Sequence, residues 1–574
     1  MEIGFAIGSG LLVGGLLLVG MRERRWARVA ALAAVLLLVG VDQFSASFDG
    51  YDTDLWTYVL ITERVADGVS LLEREPFLLE PPPTPHLSVP WVVLGWVGRA
   101  TGLDGHTLAR GLSLVSGVLL LLAGWRLARR LFDEAVLRWA AVLLFWLSFH
   151  LGWAALPLGR TMSLAFVLLT VEEGLAPGWD WRRSTRAAAW VALAFYTHLF
   201  GGVLALAGLA LAAAAREDGG LDRLRSVLWT AAASAVLALP CLLYVLSTVD
   251  LARSRAHVVR PGQGELLGFL YLEPFEIGRL VPISVLALSA VGLLVRVPPR
   301  WRAAQRLARA GALACALVLF TPVYHLAVRF LGGWMPERLV FLLFPWVPGT
   351  LALGALARGG TGRQPLRLLV ALAALLLPVQ ATLKVGRDLR DRPLSVRPLV
   401  DGEGDTQRGR GRRGSRLFFG MTPDARAEAR SLRPLLRGRA FVSDPLLAYG
   451  VTADTLGRPL AVPPGHASPF GDFQARHRRV RSAFAANTAE CWSGLFEAYP
   501  DLEFLLTPAV GAEVERLVWA RPVEPEAVRR VFEENWALRT VFEGRFFVLD
   551  AIEAPAPRSP VATSPASAAL VCGI

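Results

Sequence analysis

Apolar stretches of membrane-spanning length recur along this chain, separated by short polar loops in which arginine dominates. Runs of about 18 or more apolar residues read as bilayer spans. The pattern predicts about twelve of them, at about 3–20, 29–44, 104–125, 135–150, 161–175, 226–247, 279–296, 309–328, 338–357 and 366–384, with two short ones inside 187–215. That last stretch, "AAAWVALAFYTHLFGGVLALAGLALAAAA", is too long for one span and too short for two full ones. His198 and Gly201–Gly202 lie at its middle, so it reads as two short helices meeting at a break. Non-helical backbone at membrane depth is tolerated only where protein or a watery cavity surrounds it.

Spans alternate sides, so the arginines test the assignment against the positive-inside rule. Arg22–Arg28, Arg126–Arg138, "WDWRRSTR", Arg216–Arg225, "RVPPRWRAAQRLAR" and "ARGGTGRQPLR" all fall on one side when the break at His198 is included. This places the N-terminus and a long first loop, about 45–103, outside. The first apolar run precedes its positive charges, whereas a cleavable signal peptide carries them in front, so it reads as a span. The segment "GRDLRDRPLSVRPLVDGEGDTQRGRGRRGSR" falls outside against the rule. Long domains, however, translocate largely regardless of charge.

Residues 1–385 thus read as one transmembrane domain and 386–416 as an Arg/Gly-rich linker, flexible or lying on anionic head groups. From 417 to 553 the pattern changes. Short β-type runs, "RAFVSDP", "RPLAVPP", "DLEFLLTP" and "RFFVLDA", alternate with helix-like stretches, which suggests a small α/β soluble domain. Residues 554–574 are Pro/Ala/Ser-rich and read as a disordered tail.

Composition agrees. The 574 residues are 54% hydrophobic with mean hydropathy +0.44, which marks an integral membrane protein. The net charge of +12 comes almost wholly from arginine, with Lys384 the single lysine. Because those arginines sit between spans, the basic balance argues for membrane topology and against a nucleic-acid partner. None of Cys241, Cys315, Cys491 and Cys572 has CxxC or zinc spacing, so the sequence implies neither a metal centre nor a disulfide framework.

The first outer loop holds the candidate chemistry. "FDGYDTDLWTYVLITERVADG" puts Asp49, Asp52 and Asp54 beside a bilayer and then starts a helix. Leu55, Tyr58, Val59, Thr62, Val65 and Ala66 share one face, and Thr57, Glu63, Arg64 and Asp67 another. This predicts an amphipathic helix lying along the membrane surface. Thr53 or Asp54 would cap it through a side-chain oxygen, a role that needs no chemistry and leaves Asp52 and Asp49 less well explained. Downstream, "EPFLLEPPPTPHLSVPW" breaks the helix at three prolines and presents His86 ahead of a second helix bearing Trp91 and Trp96. Those tryptophans are ordinary for an interfacial helix.

The layout resembles the GT-C superfamily of polyprenyl-phosphate-sugar-dependent glycosyltransferases, which includes protein mannosyltransferases and bacterial aminoarabinose transferases. The residues that carry the likeness are the Gly-Tyr-Asp-x-Asp opening of the first loop, "EPF…PPPTPH…PW", "PLGRTMS", "FYTHLFGG" and "MPERLVFLLFP", with a soluble domain after the last span. It implies a GT-C-like polytopic helical fold in a bacterial-type plasma (inner) membrane. It also implies transfer of a sugar, with inversion, from a polyprenyl-phosphate donor to a lipid, glycan or protein acceptor at the extracytoplasmic face. Carried onto this chain, Asp52 or Asp54 is the general base, since a carboxylate can take the acceptor proton. Arg160 and Arg338, at outer span ends, would face the departing phosphate, for which arginine suits bidentate contact. Pairing of Arg338 with Glu337 and snorkelling to the interface account for it equally. His198 at the break and His86 complete the substrate-binding set, while His150, His325, Glu273 and Glu276 are weaker choices in outer positions. No "WWDYG"-type signature occurs, which argues against an oligosaccharyltransferase. No second acidic pair follows in a later loop, so a divalent metal stays open rather than indicated. The expected partners are the lipid-linked donor and membrane lipids, with the acceptor unnamed. A transporter or flippase of a lipid-linked glycan is the alternative, because broken helices and intramembrane charge also suit transport. An inactive scaffold, in which Asp52 is dispensable, is a third.

Overall fold

The computed structural model describes residues 53–69, 89–149, 159–248, 263–266, 268–273, 281, 283–331, 336–358, 423–462, 473–509 and 525–553. Two helices of the first loop open the described chain, α1 (Thr53–Ala66) and α2 (Val89–Thr101). A bundle follows: α3 (Gly105–Leu131), α4 (Ala135–Phe149), α5 (Gly159–Gly174), α6 (Trp181–Thr197), α7 (Leu199–Ala215) and α8 (Gly220–Thr248). A hairpin, β1 (Gln263–Leu266) and β2 (Phe269–Leu272), precedes α9 (Ile283–Leu294), α10 (Arg302–Leu319), α11 (Pro322–Leu331) and α12 (Trp346–Ala357).

Local chemistry explains several boundaries. Asp104 accepts the Thr107 N–H at 2.8 Å and starts α3, and Asp180 does the same for α6 through the Arg182 N–H. His198 alone separates α6 from α7: its N–H reaches the Ala194 carbonyl, while its own carbonyl accepts from Gly201 and Gly202. The break therefore falls where the over-long apolar stretch places it.

Among the described residues, Gly220–Tyr244 and Leu339–Leu356 are long and apolar enough to cross a membrane, and a third crossing exists if Pro299–Leu319 and Pro322–Val328 form one bent span. That pair corrects the straight span expected over 309–328, since the chain turns by 74° just before Pro322. Proline cannot continue a helix and pushes its predecessor away from helical angles. The 338–357 span is likewise composite: a 3-10 segment, Pro336–Leu343, hands over to α12 at Phe344, whose φ is +43°. Predicted spans 3–20, 29–44 and 366–384 lie outside the described residues.

The bundle core is one apolar cluster running from α3 to α12. Backbones approach closely where glycine permits: a Cβ on Gly292 would collide with the Pro348 carbonyl, and one on Gly311 with that of Leu342. Charge gathers at one end of the bundle. There Arg126 pairs with Glu172 (2.9 Å), Arg186 with Glu173 (3.0 Å), Arg300 with Asp133 and Glu134 (2.7 and 2.8 Å), and Arg306 with Glu217 (2.8 Å). Trp301 donates to Asp133 and lies beneath Arg358, which also meets Glu134.

At the other end sits an α/β unit. It comprises α13 (Pro423–Ser431), the short α14 (Arg433–Leu436), β3 (Ala440–Val442), α15 (Pro445–Thr455), β4 (Arg458–Pro459), α16 (Phe473–Ala486), α17 (Ala489–Ala498), β5 (Phe504–Pro508), α18 (Pro525–Asn535), β6 (Ala537–Glu543) and β7 (Phe547–Glu553). The sheet order is β4-β3-β5-β7-β6, parallel across its first three strands and antiparallel at β7 and β6. Strand side chains alternate between faces. Phe504 and Leu506 join one cluster with α13 and α15, whereas Leu505 joins another with Trp492 of α17, Phe532 of α18 and Trp536 just after it. Cys491 is disulfide-bonded, while Cys241 and Cys315 are free. This corrects the expectation of no disulfide, since pairing depends on proximity in space rather than on CxxC spacing.

Candidate functional site

The first-loop helix is the key to this end of the molecule. α1 begins at Thr53, so Thr53 and Asp54 stand within its first turn rather than at its N-cap. Its apolar face packs as the spacing predicts: Val59, Leu60 and Val65 are buried, Tyr58 stacks on Trp91 of α2 at 5.1 Å, and Gly95 lets α2 close on Val65. Trp96, by contrast, is exposed.

The polar face overturns the expectation of a helix lying on a membrane surface with its charges in water. Glu63 and Arg64 are only 6% and 7% exposed. The α/β unit covers them. Tyr449 Oη accepts the Thr57 N–H at 3.2 Å and lies 2.7 Å from Thr57 Oγ1. One Glu63 oxygen accepts from Arg433 at 2.8 Å and the other accepts the Gly105 N–H at 2.7 Å, at the start of α3. Arg64 donates to the Gly457 carbonyl at 3.1 Å, and Asp67 pairs with Arg437 at 2.8 Å. Buried charge persists only when paired, and each of these charges has a named partner. The apolar cluster is also continuous across this boundary, running from Val59, Trp91 and Ala109 into Leu447, Phe504 and Leu549.

Beside α1 lies a second buried polar group. His106, in the first turn of α3, has Nε2 3.6 Å from Asp454 of α15, and Asp454 accepts from Arg430 at 2.9 Å. Burial pushes the Asp454 carboxyl up, but the His106 ring and the Arg426 and Arg430 guanidinium groups outweigh it and hold it below its ordinary value. Sequence reading missed His106, Tyr449, Arg433 and Asp454. "LLAYGVTADTLG" is a run whose polar members are buried with the rest, and no periodicity separates them.

Of the predicted site residues, Asp52 and His86 lie outside the described residues, as do Asp49, His150 and Glu276. Arg160 stands in the first turn of α5. Two residues on, Met162 belongs to the same apolar cluster as Val59, Leu60 and Trp91. Gly201, three residues after His198, lies against Ser163, three residues after Arg160, and a Cβ there would clash with the serine side chain. The start of α5 with Arg160 and the break at His198 thus lie close together. Arg338 lies in the 3-10 segment against α10 and α7, next to Leu339, whose carbonyl accepts from the Cys315 thiol. His325 serves the hairpin: its Nδ1 accepts the Leu270 N–H at 3.3 Å, and its ring meets Phe269 edge-on. Glu273, at the hairpin's end, is exposed. Among the described residues no group of three or more His, Cys, Asp or Glu side chains could hold a metal ion.

Against known proteins, no family pattern matches the chain, and no curated protein does. Solved structures do. ArnT from Cupriavidus metallidurans bound to undecaprenyl phosphate is similar at a TM-score of 0.50 and 13% identity, over 91% of this chain and 97% of that one. The Archaeoglobus fulgidus oligosaccharyltransferase in its apo form is similar at a TM-score of 0.48 and 14% identity, over 94% of this chain and 76% of that one. The likeness is one of fold alone, and it extends over nearly the whole of both chains.

Proposed function

We propose that this protein is a membrane glycosyltransferase that moves a sugar from a polyprenyl-phosphate donor to a lipid, glycan or protein acceptor at the extracytoplasmic face of a plasma membrane. The observation that carries the reading is the fold likeness over nearly the whole of both chains to ArnT, a protein solved with undecaprenyl phosphate. Two further observations support the sidedness. The α/β unit and the first-loop helices occupy the end of the bundle opposite the arginine-rich loops, which positive-inside statistics assign to the cytoplasm. Cys491 is disulfide-bonded, as suits an oxidising compartment.

The chemistry is a single displacement. An acceptor heteroatom attacks the anomeric carbon, its proton passes to Asp52 or Asp54, and the bond from the anomeric carbon to the phosphate oxygen breaks. The phosphate leaves with the bonding pair, and its growing charge calls for preorganised cations. Arg160 and Arg338 are the cations assigned to that role. Attack opposite the leaving phosphate inverts the anomeric centre.

The test is transfer by the purified full-length protein in lipid nanodiscs, using a panel of radiolabelled polyprenyl-phosphate sugars and a membrane-lipid and peptide acceptor fraction. Asp52→Asn or Asp54→Asn should lower transfer by about 100-fold or more with donor binding intact, the scale expected of a general base. Equal transfer by wild type and both variants would remove the assigned base. Movement of intact donor across a bilayer with no transfer would establish the transporter reading instead.

A further inference from the structure

We infer that the α/β unit is the positioning element for α1, the helix that bears Asp54, one of the two candidate bases, with Tyr449 and Arg433 as its positioning residues; this rests on the function proposed above. Three observations converge. First, the contacts extend from the second turn of α1 to the residue after its end: Thr57 to Tyr449, Glu63 to Arg433, Arg64 to the Gly457 carbonyl and Asp67 to Arg437. A helix that merely rested at an interface would leave this polar face to water. Second, Glu63 joins three elements, accepting from Arg433 of the α/β unit with one oxygen and from the Gly105 N–H of α3 with the other. The position of α1 is thereby referred both to the bundle and to the domain above it. Third, Tyr449 engages Thr57, three residues after Asp54 and so on the neighbouring turn of the same face. Its hydroxyl reaches both the Thr57 N–H and Oγ1, so it fixes the rotation and height of the first turn from outside the bundle.

The cores reinforce this. α1 contributes to the same apolar cluster as Phe441, Leu447 and Leu549, so it is shared between the two parts of the protein. A small error in the placement of a catalytic group lowers rate far more than it lowers binding. The α/β unit therefore acts on turnover through α1 without touching substrate. This accounts for buried polar residues that the transfer step itself does not use.

Tyr449→Phe and Arg433→Gln in the full-length protein test the inference, with Arg439→Gln as a control that removes the Arg439–Glu503 ion pair and the guanidinium over the Phe504 ring but no contact to α1. Amide hydrogen exchange is read on residues 53–66 and on β5 and β7. Both test variants should speed exchange in α1 by at least fivefold and leave the strands protected, and Arg439→Gln should change neither. In the transfer assay kcat should fall about tenfold with the donor KM within twofold, and Arg433→Lys should recover more than Arg433→Gln. Unchanged exchange in α1 in both variants overturns the inference, whatever the substrate. So does faster exchange in α1 with kcat unaltered. If wild type transfers no sugar from any donor, the proposed function fails separately, and the exchange result alone then decides whether the α/β unit holds α1.

Discussion

His477 shows how a single buried group reports on the soluble domain. It is buried on α16, and its Nδ1 lies 3.2 Å from the Val462 carbonyl, to which a neutral ring can donate. Burial, with Arg481 adding to it, pushes its pKa below the ordinary value of 6.5 despite that hydrogen bond. The folded pKa is thus lower than the unfolded one, and the unfolded chain takes up the proton first. The stabilising contribution is complete above about pH 6.5 and is lost as pH falls through the folded value. Thermal unfolding of the domain should therefore fall between pH 7.5 and 5.5, and His477→Gln should flatten that slope. Identical slopes in the two proteins would show that His477 does not carry it. Asp454, whose folded pKa lies below its ordinary 3.8, acts in the same sense but in a more acid window, so the two are separable.

At the scale of elements, β6 and β7 show what holds the domain's antiparallel edge. Asp550 on β7 is fully buried, accepting from Arg529 of α18 at 3.0 Å and from Thr540 of β6 at 2.7 Å. Removing one member of a buried pair leaves its partner uncompensated, at a cost of about 3–5 kcal/mol. Asp550→Ala should lower the domain's unfolding temperature on that scale, and a change under about 1 kcal/mol would mean that water replaces the carboxylate. The sequence pattern found β3, β4, β5 and β7 through their short apolar runs. It missed β6, because "ALRTVFE" follows α18 without a turn residue and half its side chains stay polar or exposed. Pairing with β7, a non-local event, makes it a strand. The apolar face of α1 was legible from spacing, whereas the burial of its polar face was not. Glu63 and Arg64 look like solvated charges until α14 and α15 arrive from some 370 residues away.

For the molecule as a whole, sidedness is the property that joins sequence to fold. Arg300 lies among the ion pairs of one end, and Arg439 is exposed in the α/β unit at the other. Cysteines placed at these positions should react with a membrane-impermeant maleimide from opposite faces: Arg439→Cys in right-side-out vesicles and Arg300→Cys in inverted ones. Labelling of both from the same face would remove the two-sided arrangement. The ion pairs lost are exposed, worth about 0–1 kcal/mol each, so neither substitution should disturb the fold. By itself the sequence determined where apolar stretches recur, where arginines cluster between them and that the long stretch at 187–215 breaks at His198. Each is a local matter of hydropathy, charge and chain length, which the bilayer reads one segment at a time. Only the tertiary structure decided that the start of α5 meets the segment after the His198 break, that His106 meets Asp454, and that the α/β unit grips the first-loop helix. Those pairings join residues distant along the chain, and they follow from which surfaces can bury apolar area together while giving buried charges such as Glu63 and Asp550 a partner.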